Sequence, residues 1–175
     1  MTNFHDLIIH RRSIRRYLPQ AIEPEKIKLI TNAALMSPSS KRNNGWEFIV
    51  VDNKEMLLKM ADCRPQGSQL LVNAPLAIVV IGNPSKSDVW YIDCAIASTF
   101  IQLQAQDLGL GSCWIQVLDR QKNQTTSAEQ DLKQLLLVPD DLRILSIISL
   151  GYKNEEKAPF DETKLQHEKI HYNTF

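Results

Sequence analysis

Six consecutive residues, Leu76-Ala77-Ile78-Val79-Val80-Ile81, carry no polar side chain. A strand with one face in water would alternate apolar and polar residues, so an unbroken run of this length reads as a strand covered on both faces. Trp46-Glu47-Phe48-Ile49-Val50-Val51 reads as a second, mostly buried strand, and Ile144 to Leu150 as the last one. Buried strands need partners on both sides. The fold class expected from this mixture is α+β or α/β, a sandwich in which helices cover a sheet.

The intervening segments supply those helices. Asn3 to His10 places Phe4, Leu7 and Ile8 on one helical face and ends in a basic run. Pro24 suits the first turn of a second helix, in which Ile27, Ile30, Ala33 and Ala34 share a stripe and Ser37-Pro38 mark the stop. The longest helix is expected from Ser87 to Leu108, ended by Gly109 and Gly111, with small Ala95, Ala97 and Ser98 free for close approach of another helix. A short strand from Ser112 to Leu118 follows. Ser127 and Gln130 then form a capping-box pattern opening a helix through Leu136, with Pro139 beyond it.

A chain of 175 residues without repeats or Gly/Ser linkers reads as one domain, large enough to bury a core without disulfides. Residues 1–153 form that domain. Residues 154–175 are charged, with isolated Leu165, Ile170, Tyr172 and Phe175, and read as an extension or an arm wrapped over the body or a partner. Twenty Lys+Arg balance twenty Asp+Glu, so no overall field draws the molecule onto nucleic acid or an anionic membrane. The N-terminus has no signal-peptide pattern, no apolar run is long enough to span a bilayer, and three cysteines form no C-x-x-C pair. A cytoplasmic protein is the expectation, with Cys63, Cys94 and Cys113 as small core residues.

Against this neutral background, Arg11-Arg12-Ser13-Ile14-Arg15-Arg16-Tyr17 concentrates four guanidinium groups. Their forked donors, with a serine hydroxyl, suit a phosphate; the alternative is a solvated basic helix end. A polar loop, Ser37-Pro38-Ser39-Ser40-Lys41-Arg42-Asn43-Asn44-Gly45, runs directly into the first strand. Its hydroxyls and amides either line a site or simply connect two elements. The third feature, Gly109-Leu110-Gly111-Ser112-Cys113-Trp114-Ile115-Gln116, closes a helix and so is not the dinucleotide-binding G-x-G-x-x-G turn. No H-E-x-x-H, P-loop or G-x-S-x-G pattern occurs, and no metal site is expected; Glu155 and Glu156 read as a solvated run.

In this order and spacing, R-R-S-x-R-x-Y, the S-P-S-S loop leading to W-E-F-I-V-V, G-L-G-S-C-W-I and the closing Leu150-Gly151-Tyr152 resemble the FMN-dependent nitroreductase family, especially its short members. The likeness covers nearly the whole chain. It implies an α/β/α sandwich around a mixed, mainly antiparallel sheet, and a homodimer with FMN at the interface. By this resemblance Arg11, Arg12 and Ser13 hold the phosphate and ribityl chain, and Arg15 reaches the pyrimidine side of the ring. Pro38, Ser39 and Ser40 come from the other subunit, the backbone at Ile115 and Gln116 approaches flavin N5, and Lys153 or Lys157 adds a phosphate contact. Many relatives show S-x-N-x-Q-P-W where this chain has Ser40-Lys41-Arg42-Asn43-Asn44-Gly45-Trp46, so Arg42 stands where an asparagine is usual. Gln69 is a candidate amide partner for the ring edge, or else a surface residue.

The activity so implied is transfer of hydride from NADH or NADPH through FMN to a small-molecule acceptor such as a nitroaromatic or quinone. A flavin carries this chemistry itself, which accounts for the lack of a catalytic triad. Arg15 would stabilise the charge of the reduced ring. The alternatives are a related flavin reaction, such as reductive dehalogenation or flavin reduction, and a non-catalytic redox sensor using Cys63 or Cys113.

Overall fold

The computed structural model describes residues 3–175. Its elements run α1 (Phe4–His10), α2 (Pro24–Leu35), β1 (Trp46–Val51), α3 (Lys54–Met60), β2 (Leu76–Gly82), α4 (Trp90–Asp107), β3 (Leu110–Gln116), α5 (Ala128–Leu136) and β4 (Arg143–Tyr152). The four strands form one antiparallel sheet in the order β1-β2-β4-β3. Among the described residues, parallel pairing is limited to an isolated bridge between Ser13 and Ser112, outside the pairing of the four strands.

The apolar run of β2 behaves as its composition requires. Ala77, Val79 and Ile81 face a core shared with Leu57 and Met60 of α3 and Leu132 of α5. Leu76, Ile78 and Val80 face the opposite core, with Ile30 and Ala34 of α2 and Ala97, Ile101 and Ala105 of α4. Between Val80 and Ile81 of β2 the register against β4 slips, because Leu145 is an extra residue on β4. The bulge turns its carbonyl to accept the N–H groups of Val117 at 3.0 Å and Leu118 at 3.1 Å, which tie the end of β3 to the sheet.

Several boundaries differ from those expected. The long helix starts at Trp90 rather than Ser87, whose buried hydroxyl instead donates to Asp93 at 2.9 Å. Gly109 ends the helix with a φ of +77°, a conformation open to glycine, but Gly111 lies inside β3, which begins at Leu110 and stops at Gln116. Ala97 and Ser98 face the chain's own sheet, so they are not free for a second helix; Ser98 Oγ lies 3.2 Å from Ser146 Oγ. Helix α3 has no counterpart in the sequence reading, although Asn53 caps it by accepting the N–H of Met56 at 2.9 Å.

The capping box is present in both directions: Gln130 N–H donates to Ser127 Oγ at 3.1 Å, and Ser127 N–H to Gln130 Oε1 at 3.0 Å. Ser127→Ala is expected to destabilise the protein by about 1 kcal/mol, a fall of roughly 2–4 °C in Tm. A calorimetric melt that leaves Tm unchanged would show the cap to be idle.

The C-terminal segment returns along α1. Phe160 N–H donates to the Ile9 carbonyl at 3.0 Å, Arg12 donates to the Ala158 carbonyl and stacks 4.8 Å from the Phe160 ring, and His5 meets Glu162 at 3.2 Å. Beyond that, Leu165, Ile170, Tyr172 and Phe175 are exposed.

Candidate functional site

The arginine run begins at a helix end and leaves it. Arg11 is the C-cap of α1 with an extended backbone, and the chain then crosses the sheet. Ile14 N–H donates to the Ser112 carbonyl at 2.9 Å, Leu18 N–H to the Tyr152 carbonyl at 2.9 Å, and Tyr17 bridges Lys153. Ile14 and Tyr17 are buried, only 3% and 4% exposed, while Arg11, Arg12 and Ser13 are half-buried and Arg15 and Arg16 exposed.

Two glycines make this crossing possible. Gly111 and Gly151 face each other in the β3–β4 ladder. A Cβ on Gly111 would stand 2.8 Å from Ile14, and one on Gly151 would stand 2.8 Å from the Tyr17 ring and 2.7 Å from Pro75. The bare backbone is thus a bed on which the segment lies. The Tyr17 hydroxyl donates to the Ile14 carbonyl at 2.6 Å and lies 2.7 Å from Ser149 Oγ; burial pushes its pKa up, so it stays a neutral pin.

Beside the segment opens a polar cleft of about 740 Å³, lined by His10, Arg12, Ile14, Gln106, Lys153 and Lys157 among others. Lys153 Nζ donates to Gln106 Oε1 at 2.9 Å, and partial burial pulls its pKa down. Glu155 also lines the cleft; it is half-buried and engaged with the main chain of Arg15, so it is not part of a solvated run, whereas Glu156 is exposed as expected. Among the described residues, the guanidinium groups of Arg11 and Arg15 have no ion pair or hydrogen bond. A second cavity, about 550 Å³, lies between Tyr17, Ile22, Leu57 and Leu76. Its one lining cation, Lys54, is held by the Val72 carbonyl, which leaves it poorly suited to an anion.

The Ser39–Asn44 loop is fixed elsewhere. Lys41, Arg42 and Asn44 have φ of 52°, 56° and 47°, a left-handed backbone that costs a non-glycine residue roughly 1–2 kcal/mol. Hydrogen bonds hold it there: Asn44 N–H donates to Ser39 Oγ at 3.0 Å, Ser39 Oγ–H to Asn44 Oδ1 at 2.9 Å, and Ser40 N–H to buried Asp93 Oδ1 at 2.8 Å. Asp93 lies in the first turn of α4, whereas Gln106, which holds Lys153 beside the arginine segment, lies in its last. At 1.5 Å per residue the two anchors are about 20 Å apart along the helix. One chain therefore does not bring Pro38, Ser39, Ser40 and Arg42 to the cleft that Arg12 and Lys157 line.

The other expected residues fall at the far end of β3. Ile115 is buried. Gln116 uses its side chain locally, accepting from Trp114 Nε1 at 2.9 Å and donating to the Leu118 carbonyl at 3.1 Å. Its own carbonyl accepts from Arg64 at 2.8 Å. Arg64 escaped the sequence reading because only the tertiary fold brings the loop after α3 to this strand. Gln69 shapes that loop, donating to the carbonyls of Arg64 at 2.9 Å and Pro65 at 3.2 Å and accepting Gly67 N–H at 2.8 Å. The three cysteines are free and buried, and burial pushes all three thiols up, Cys94 to about 12, so none is a reactive thiolate at neutral pH. No described helix is long and apolar enough to cross a membrane.

Comparison with known proteins places this architecture. A model of the Nitroreductase family matches residues 8–66 and 62–152. An FMN-dependent nitroreductase from Clostridium difficile R20291 superposes with a TM-score of 0.94 at 46% identity, covering 97% of this chain and 98% of that one. A crystal structure from Parabacteroides distasonis, named provisionally as an NADH dehydrogenase/NAD(P)H nitroreductase, gives a TM-score of 0.90 at 31% identity with both chains fully covered. A protein of Archaeoglobus fulgidus, provisionally given the same name, is 38% identical over 170 residues, 94% of each chain. With the family model matched over residues 8–66 and 62–152 and relatives of 38–46% identity covered over nearly their whole length, the chain belongs to the nitroreductase family.

Proposed function

We propose that this protein is an FMN-binding oxidoreductase that uses NADH or NADPH to reduce a small acceptor such as a nitroaromatic or a quinone, and that it works as a homodimer. The observation that carries the reading is the polar cleft beside the arginine segment, with Arg12, Lys153 and Lys157 on its wall and a main chain laid flat on Gly111 and Gly151. These residues fit a mononucleotide: the donors suit one phosphate, and the unpaired Arg11 and Arg15 guanidinium groups stand next to it in the chain. FMN, when bound, supplies the redox chemistry, accepting hydride from the nicotinamide and reducing the acceptor.

Within that site Arg11, Arg12 and Ser13 bind the phosphate and ribityl chain, and Lys157 adds a cation. Arg15 stands at the pyrimidine side, where a fixed positive charge favours the reduced ring. The main chain at Ile115 and Gln116, at the end of β3, would border the ring. Gln69 reaches the ring edge only by giving up its bonds to the loop carbonyls.

The dimer is supported by the spacing of about 20 Å along α4 between Asp93, which anchors the Ser39–Asn44 loop, and Gln106 beside the cleft, since a second copy would supply the missing half. Helix α4 supports it. Its inner face is buried, yet Tyr91, Ile92 and Phe100 remain exposed on the outer one, and a helix apolar on all sides is normally covered on all sides. Phe4 and Ile8 of α1 are exposed too. Residues 154–162 lie on the chain's own α1 and arginine segment, and the exposed apolar residues from Leu165 onward are then an arm over the partner.

The direct test is the spectrum of the purified protein. It is expected to be yellow, to release FMN and not FAD on denaturation, and to oxidise NADH or NADPH when a quinone is added. A colourless protein that takes up no added FMN would sink the reading. Phe100→Asp places a charge on the outer face of α4 and is expected to yield monomers in sedimentation together with loss of flavin. A dimer that persists unchanged would move the interface elsewhere.

A further inference from the structure

The polar cleft holds a carboxylate among its cations, in a position an incoming phosphate would share. Glu155 Oε1 accepts the main-chain N–H of Arg15 at 2.5 Å and that of Arg16 at 3.3 Å, while Oε2 lies 3.2 Å from Lys157 Nζ. The glutamate side chain is 15% exposed and the lysine side chain 40%. Its pKa is held below the ordinary carboxylate value, chiefly by the Arg15 N–H bond, so it is ionised throughout the neutral range.

The neighbouring amides show why an acceptor is needed here. Ile14 and Leu18 N–H groups pair with carbonyls of β3 and β4, and Asn154 N–H donates to the Arg16 carbonyl at 3.0 Å. Arg15 and Arg16 N–H groups instead meet Glu155. An anion beside a phosphate site nevertheless opposes phosphate binding through like-charge repulsion. The bonds it accepts from the Arg15 and Arg16 N–H groups offset that cost.

We infer that Glu155 is a positioning residue of the phosphate site, which fixes the main chain at Arg15 and Arg16 and holds the Lys157 ammonium until a phosphate monoester takes the ammonium over. The inference rests on the proposed FMN site and adds a division of labour to it. One carboxylate oxygen acts on the loop that places Arg15, and the other acts on a cation that changes partner from Glu155 to phosphate. No proton moves in this exchange.

The two roles separate by mutation. Glu155→Ala removes both oxygens, so the Arg15 main chain loses its anchor and riboflavin affinity falls about tenfold, while FMN loses less because Lys157 and the phosphate site are freed of the carboxylate as well. Glu155→Gln keeps an amide oxygen for the Arg15 N–H and removes the charge. It is expected to leave riboflavin affinity within about twofold but to tighten FMN roughly three- to tenfold, because Lys157 is released and the repulsion is gone. Measured against Lys157→Ala alone, adding Glu155→Gln should tighten FMN by no more than about twofold.

The measurement is titration of each apoprotein with FMN and with riboflavin, followed by flavin fluorescence. Should Glu155→Ala fail to fold, Glu155→Gln and the double variant decide alone. Equal effects of Glu155→Gln on FMN and riboflavin, or a full gain that survives Lys157→Ala, would overturn the inference while leaving the FMN site intact. A wild-type protein that binds neither flavin would overturn the proposed function, and this inference with it.

Discussion

Gly111→Val is expected to lower Tm by roughly 6–12 °C, from an overpacking cost of about 3 kcal/mol, and to weaken flavin binding beyond that loss. The valine Cβ would stand 2.8 Å from the Cβ and Cγ2 of Ile14 and 3.0 Å from Cγ1, and these belong to a rigid branched side chain buried on the sheet. Ile14 cannot rotate away, so the segment must lift. Because Arg12, Ser13 and Arg15 adjoin Ile14, lifting it displaces the donors that the cleft presents. Gly109→Ala makes the comparison, since nothing lies within 4 Å of a Cβ there and only the positive φ of +77° opposes it. That variant is expected to cost about 1 kcal/mol without altering flavin affinity. Thermal melts and flavin titrations of the two proteins would contradict the glycine bed if both variants behaved alike.

The second large effect belongs to Arg11. Arg11→Ala is expected to weaken FMN binding roughly ten- to a hundredfold, corresponding to loss of a charge-assisted hydrogen bond of about 1.5–3 kcal/mol. Arg11 is half-buried at the C-cap of α1, with no intramolecular partner for its guanidinium among the described residues, so its donors are available to a ligand. Arg16 is exposed, and only its main chain is engaged, through Glu155 and Asn154. Arg16→Ala should therefore stay within about threefold of wild type, the range of a surface charge. Small and equal changes in the two titrations would return the arginines to a solvated patch.

Local chemistry determined much of this molecule. Two-sided burial of β2 was legible because six apolar side chains can be hidden only between two layers. The capping box at Ser127, Pro24 at the start of α2 and glycine after α4 acted where they stood, because each satisfies or frees a backbone group within its own turn. Helix α3 was missed for want of a long apolar period, since its seven residues hide only Leu57 and Met60. For the site, the sequence exposed the guanidinium cluster, since charge concentrated on a neutral chain needs no tertiary information to be noticed.

What the sequence left open depended on residues distant along the chain. The extended course of Arg11–Tyr17 is set by Gly111 and Gly151, about a hundred residues or more away, whose missing side chains only matter once β3 and β4 are paired. Glu155 looked like one of two solvated acids, and only the return of the chain past Tyr152 brings it onto the Arg15 amide. Ala97 and Ser98 looked free for a partner, but helix rotation turned them onto the sheet and left Ile92 and Phe100 outside. Composition and spacing fix which groups a chain owns and which local hydrogen bonds it can close. Which groups meet is decided by strand register and helix rotation, because these follow from packing of the whole core and not from any one segment.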